Sequence, residues 1–140
     1  MLAEHANPTP HNLFDMRRRL GEQRIRALQV GIGLLTIRRR SDDQPLGYCG
    51  LIIGRCSIDE PEIVIELLRR HHGHGYATES AQAVTDAAFA TGRTRIWATV
   101  ASWNAPSLAV CRRLGFRDHH SATDDDGVGE VIYLIRDRPA

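Results

Sequence analysis

The sequence is poor in the features that mark several common protein classes. Its 140 residues hold 3 cysteines, Cys49, Cys56 and Cys111, with no Cys-x-x-Cys pair. An odd, scattered set argues against a disulfide framework and fits a reducing cytosol, so a cytoplasmic location is expected. No apolar run approaches the ~20 residues that span a bilayer. Met1 to Pro10 lacks the apolar centre of a signal peptide. The formal net charge is +1, so no whole-molecule field draws the chain to nucleic acid or acidic lipid. No repeat or low-complexity tract interrupts it.

What is present suits one globular domain over 1–140 with a single modest core, at 42% hydrophobic and 25% charged residues. The basic runs Arg17–Arg19 and Arg38–Arg40 read as solvated faces. Residues 1–11, with Pro8 and Pro10, read as a loose arm. Asn12 to Leu28 has helical spacing at Leu13, Met16 and Leu20, weakened at Gly21. Gly33 to Arg40 and Leu46 to Gly54 read as an antiparallel hairpin around the turn formers Ser41 to Pro45.

Glu62 to Leu68 is β-branched and nearly all apolar, the pattern of a strand buried on both faces. Gly75 to Ala90 predicts an alanine-rich helix that Gly92 closes. Arg95 to Val100 follows as a strand. Pro106 to Leu114 reads as a short helix with Gly115 just beyond its end. Phe116 to His120 and Glu130 to Arg136 read as a closing hairpin around the loop Asp124 to Gly129. This order gives an α/β (α+β mixed) fold, a mixed sheet covered by helices.

The stretch richest in chemical meaning is Leu67-Leu68-Arg69-Arg70-His71-His72-Gly73-His74-Gly75-Tyr76-Ala77-Thr78-Glu79. A buried strand runs into a turn with two glycines, and the turn opens a helix. Glycine allows close approach of a ligand and positive φ. The first helical N–H groups lack internal partners and the helix dipole favours an anion there. The combination is a phosphate site. It is neither a dinucleotide fingerprint, because no glycine follows Gly75 three residues on, nor a Walker loop, because Gly-Lys-Ser/Thr is absent. His71, His72 and His74 have no acidic or cysteine partner at ligand spacing, so no metal is expected.

Arg70-x-x-Gly73-x-Gly75 resembles the pyrophosphate signature of the GNAT acyltransferases. Tyr76-Ala77-Thr78-Glu79-Ser80 is similar to the branch that acetylates ribosomal-protein N-termini, the RimJ/RimL-like branch. Asn104-Ala105-Pro106-Ser107 with Leu114-Gly115-Phe116 resembles a second block of that branch, and Leu46 to Leu51 a third.

The resemblance implies a mostly antiparallel GNAT-like sheet with helices on both faces and strands splayed at an acetyl-CoA site. It places pantetheine against Glu62–Leu68, held by amides near Leu67 and Leu68. It places pyrophosphate on amides from His72 to Tyr76, including Gly73, His74 and Gly75, beside Arg70. Asn104 and Ser107 would meet the pantetheine arm or the reacting end. Against the family pattern, a strand-helix unit before Asn12 is expected to be missing. That would leave a sheet edge exposed and favour a homodimer.

The implied chemistry is direct attack of an amine on the thioester of acetyl-CoA. Deprotonating an α-amino group at pH 7 costs about 1–1.4 kcal/mol, against about 4.6 kcal/mol for a lysine amine. A protein or peptide N-terminus therefore needs only a modest base. Glu62 and Glu66, four apart on the cofactor strand, face one side of it. Glu66 is the expected base, on the assumption that it lies nearer the thioester. Many relatives place a tyrosine acid where Cys111 stands, so Ser107 is the substitute candidate. Two other readings remain open: acetylation of a small amine such as a polyamine or an antibiotic, and a non-catalytic acyl-CoA sensor.

Overall fold

The computed structural model describes residues 32–124 and 129–140. The expected arm and the expected helix Asn12 to Leu28 lie outside the described residues, as does the tip of the closing loop. Strand β1 (Leu34–Arg38) and strand β2 (Pro45–Ile52) form the predicted hairpin. Its turn is built by side chains. Arg39 grips both oxygens of Asp42 at 3.0 and 2.8 Å, and Asp42 Oδ1 accepts the Gln44 amide at 3.1 Å. That fork holds the Asp42 carboxyl down to about 2.

Strand β3 (Glu62–Leu67) leads through a single 3-10 turn (Arg69–His71) into helix α1 (Tyr76–Ala90). Strand β4 (Arg95–Ala101), helix α2 (Ala105–Arg113), strand β5 (Arg117–Asp124) and strand β6 (Gly129–Asp137) follow. The closing strands are longer than their sequence pattern suggested. A register shift between Asp118 and His120 lets β5 continue past its polar residues. The order of the described strands is β1-β2-β3-β4-β6-β5, and among them only the β3–β4 pair is parallel. This is a mixed α/β, mostly antiparallel architecture.

Alternation along the strands decides which side chains meet. Ile63 and Ile65 on β3, Ile96 and Ala98 on β4, and Leu134 on β6 are fully buried on one face. There they join Ala81, Ala88 and Phe89 of α1 and Leu108 and Cys111 of α2 in one core cluster. Each such aliphatic side chain contributes about 1.5–3 kcal/mol on burial. Both described helices therefore cover the same face. The opposite face carries Glu62, Val64 and Glu66 of β3, with Val64 packed against Tyr48 and Leu68. Small residues at Ala77, Ala81 and Ala88 bring α1 onto the sheet, as its sequence suggested.

Candidate active site

The parallel β3–β4 ladder is limited to the pair Glu62↔Trp97, fastened by the Trp97 amide on the Pro61 carbonyl at 2.9 Å. Beyond that pair the two strands are not joined. Because Pro61 points its carbonyl at β4, alternation turns the main-chain groups of Ile63, Ile65 and Leu67 the same way. Those of Ile65 and Leu67 face the opening between the strands. Those of Glu62, Val64 and Glu66 face β2. The opening is closed at Glu62 and open at Leu67, where the chain enters the glycine turn.

The turn has the backbone that an anion site needs. Gly73 and Gly75 sit at φ +82° and +79°, where a side chain would be strained. The first helical bond runs from the Glu79 amide to the Gly75 carbonyl. Among the described residues, the amides of Gly73 through Thr78 donate to no main-chain carbonyl. Six consecutive unspent donors at a helix start are a concentrated positive end.

These donors border a concavity of about 310 Å³ whose walls include Leu67, His72, Gly73, Gly75 and Tyr76. Its other wall is α2, through Pro106, Val110 and Arg113. Arg113 was not singled out from the sequence, although the 106–110–113 spacing puts all three on one helix face. Among the described residues, no acidic one lines this space.

The other expected site residues are placed differently. The Leu68 amide turns away from the opening and bonds the Leu46 carbonyl at 2.9 Å. The odd-even alternation that frees Leu67 commits Leu68 to β2 and turns the main-chain groups of Ile65 toward the opening. The His72 amide is spent on the Arg69 carbonyl at 3.1 Å, so the unspent donors begin at Gly73. The His72 ring meets the Leu67 carbonyl at 3.3 Å.

Arg70 is exposed and bonds the His71 ring at 3.3 Å. His74 is exposed against Tyr76, with ring centres 5.6 Å apart. Neither lines the concavity. His71 is buried, and burial, then Arg70, Arg39 and His74, lower its pKa. Asn104 caps α2, its Oδ1 accepting the Ser107 amide at 3.3 Å. Asn104 is 3% exposed and Ser107 0%, and neither reaches the concavity.

Glu66 is 1% exposed and stands at the open end, beside the turn. Glu62 stands about 13 Å away along the strand, at the closed end. Glu66, the base expected from the sequence, thus lies beside the turn and Glu62 at the closed end. The Glu62 carboxylate is 5% exposed and accepts from the Thr99 hydroxyl and from the Arg55 amide, the latter at 3.2 Å. Beside it the same face continues with Trp97, whose ring meets His119, His120 and Tyr133 edge-on at 5.0, 5.9 and 6.2 Å.

Burial pushes the thiols up, Cys49 and Cys56 to about 12 and Cys111 to about 11. All three are protonated near neutral pH and are poor nucleophiles.

A family model described as "Acetyltransferase (GNAT) domain" matches residues 2–117. Solved structures share the fold. An acetyltransferase from Agrobacterium tumefaciens is 25% identical, with TM-score 0.75 over 94% of this chain and 75% of that one. A ribosomal-protein-alanine N-acetyltransferase from Brucella melitensis is 16% identical, with TM-score 0.71 over 94% and 82%. An aminoglycoside acetyltransferase bound to coenzyme A and kanamycin is 18% identical, with TM-score 0.66 over 80% and 70%. No curated protein matches the sequence.

Proposed function

The chain belongs to the GNAT acetyltransferase family, and from that premise we propose that it transfers the acetyl group of acetyl-CoA to the α-amino group of a protein or peptide N-terminus. The observation that carries the site assignment is the run of unspent amides from Gly73 to Thr78 at the mouth of a strand opening that closes on a carboxylate. In this reading the cofactor diphosphate rests on those amides, with Arg113 opposite. Pantetheine pairs with the main-chain groups of Ile65 and Leu67, after the His72 ring yields the Leu67 carbonyl. The thioester lies at the closed end.

The acceptor amine comes from the face that carries Glu62 and Trp97. Glu62, rather than Glu66, takes the proton from the attacking nitrogen, directly or through one water. A main-chain N–H of β3 in the opening stabilises the oxyanion of the tetrahedral intermediate. The buried, protonated thiols favour direct attack over an acyl-enzyme. The departing thiolate takes its proton from water. Ser107, beneath the start of α2, holds the capped helix end in place.

Support for a protein N-terminus as acceptor comes from the Tyr76–Ser80 and Asn104–Ser107 blocks, which resemble the ribosomal-protein branch, and from the likeness to the Brucella enzyme. The likeness to the aminoglycoside enzyme supports the competing small-amine reading. The three free thiols support a reducing, cytoplasmic setting.

Free-thiol release from acetyl-CoA decides among the readings. Acceptors are peptides with free N-termini, polyamines and aminoglycosides. The sequence contains no lysine, so lysine self-acetylation adds no background. The expected result is the highest kcat/KM with a peptide α-amine. Faster turnover of a small amine would replace the protein-acceptor reading. Tight acetyl-CoA binding without turnover of any amine would make the chain a sensor.

A further inference from the structure

Glu62 is gripped by two segments that are separate in sequence. From β4, the Thr99 hydroxyl donates to its Oε1. From the turn after β2, the Arg55 amide donates to its Oε2 at 3.2 Å. In the same turn, Gly54 sits at φ +52°, where a Cβ would overlap Glu62 Oε2. The glycine therefore serves two ends: it allows the left-handed turn, and it leaves the space that the carboxylate fills. Thr99 is itself 8% exposed, so the Thr99–Glu62 contact is sheltered from water.

We propose that Thr99 and the Gly54–Arg55 turn are positioning residues that hold the Glu62 carboxylate in one orientation at the closed end of the strand opening. This rests on the reading of Glu62 as the base for the acceptor amine. The chemistry is a count of lone pairs. A carboxylate offers about four acceptor sites. The cradle fills one on each oxygen with a neutral donor, and the rest stay available to an amine proton or a water. Neutral donors suit a base better than an arginine would. They compensate for the loss of hydration without fixing the charge in an ion pair that would lower its basicity. Thr99 is β-branched and stiff at χ1, so its hydroxyl arrives in a defined direction. A cradle that only fastened the 54–60 turn to the sheet would contribute stability and leave kcat alone.

The test compares wild type with Glu62→Gln, Thr99→Val, Thr99→Ala and Thr99→Ser. Steady-state acetyl transfer is measured from pH 5.5 to 9 with the best acceptor from the thiol-release assay. Acetyl-CoA affinity is measured in parallel by calorimetry. Glu62→Gln is expected to lose on the order of 100-fold in kcat, within the range for loss of a general base, with acetyl-CoA affinity unchanged. Thr99→Val and Thr99→Ala should each lose about tenfold in kcat at neutral pH. Their KM for the acceptor should stay at the wild-type value, because the loss lies in the reacting step and not in binding. Thr99→Ser should restore kcat. The alanine variant keeps the comparison open should valine disturb the fold. If Glu62→Gln is inactive but the Thr99 variants keep the wild-type kcat, the cradle is structural only and the proposal fails while the base assignment stands. Full activity in Glu62→Gln would overturn the base assignment itself.

Discussion

At the scale of single residues, Gly73 has the sharpest consequence. Its φ of +82° lies where L side chains are strained, yet a Cβ there would meet nothing within 4 Å. The protein itself therefore has room for a side chain, and the strain is the smaller part of the effect, about 1 kcal/mol. A ligand on the neighbouring amides would lose that room. Gly73→Glu is expected to melt only a few degrees lower without ligand and to lose the thermal shift that acetyl-CoA gives the wild type. A variant that kept full acetyl-CoA affinity would show that the diphosphate lies elsewhere.

The same scale shows where residue patterns were informative and where they were silent. The two glycines of the turn and the proline in the first turn of α2 could be read directly, because each acts through its own backbone. The direction of the Leu68 amide could not. It depends on which carbonyl of β2 stands opposite, a fact set by register across the sheet. His72 likewise looked like an amide donor until the 3-10 turn from Arg69 claimed its N–H.

At the scale of elements, α2 joins two parts of the site without contributing its most conspicuous residue to the cavity wall. Asn104 accepts the Ser107 amide and fixes where the helix begins. The position of Pro106, Val110 and Arg113 along the wall follows from that start. Asn104→Ala should therefore cost about 1 kcal/mol in urea unfolding, the usual loss for a cap, and change acetyl-CoA affinity by less than about threefold. A tenfold loss of affinity with intact stability would mean that the amide meets the cofactor instead. Strand β3 teaches the complementary lesson. Its composition announced a buried strand, and the period of two put Glu62 and Glu66 on one face. Which carboxylate stood at the closed end required the pairing with β4, contributed by residues more than thirty positions away. Local pattern carries no information on where a parallel ladder stops.

At the scale of the whole molecule, the order β1-β2-β3-β4-β6-β5 makes the site. It brings the one parallel pair among the described strands to the middle of the sheet, where those two strands part. The α1 N-terminus and the face of α2 then meet over the opening. Size alone would have pointed elsewhere. A larger concavity of about 540 Å³ lies between the Arg38–Arg40 run and α1. Its charges are largely spent: Arg39 is bound to Asp42 and Arg38 approaches Asp43 at 3.9 Å, while Glu79 lines the same space. The smaller concavity holds unspent donors and, among the described residues, no acid, and donors decide where a polyanion goes.

Titrating the 15N-labelled 15.6 kDa protein with acetyl-CoA, observed amide by amide, tests that choice most directly. The account predicts that the resonances of Gly73 through Thr78 move most and that their exposed amides become protected from hydrogen exchange, followed by Ile65 and Leu67 in the strand opening. Unchanged resonances at 73–78, with the response centred on the Arg38–Arg40 turn or another surface, would contradict it.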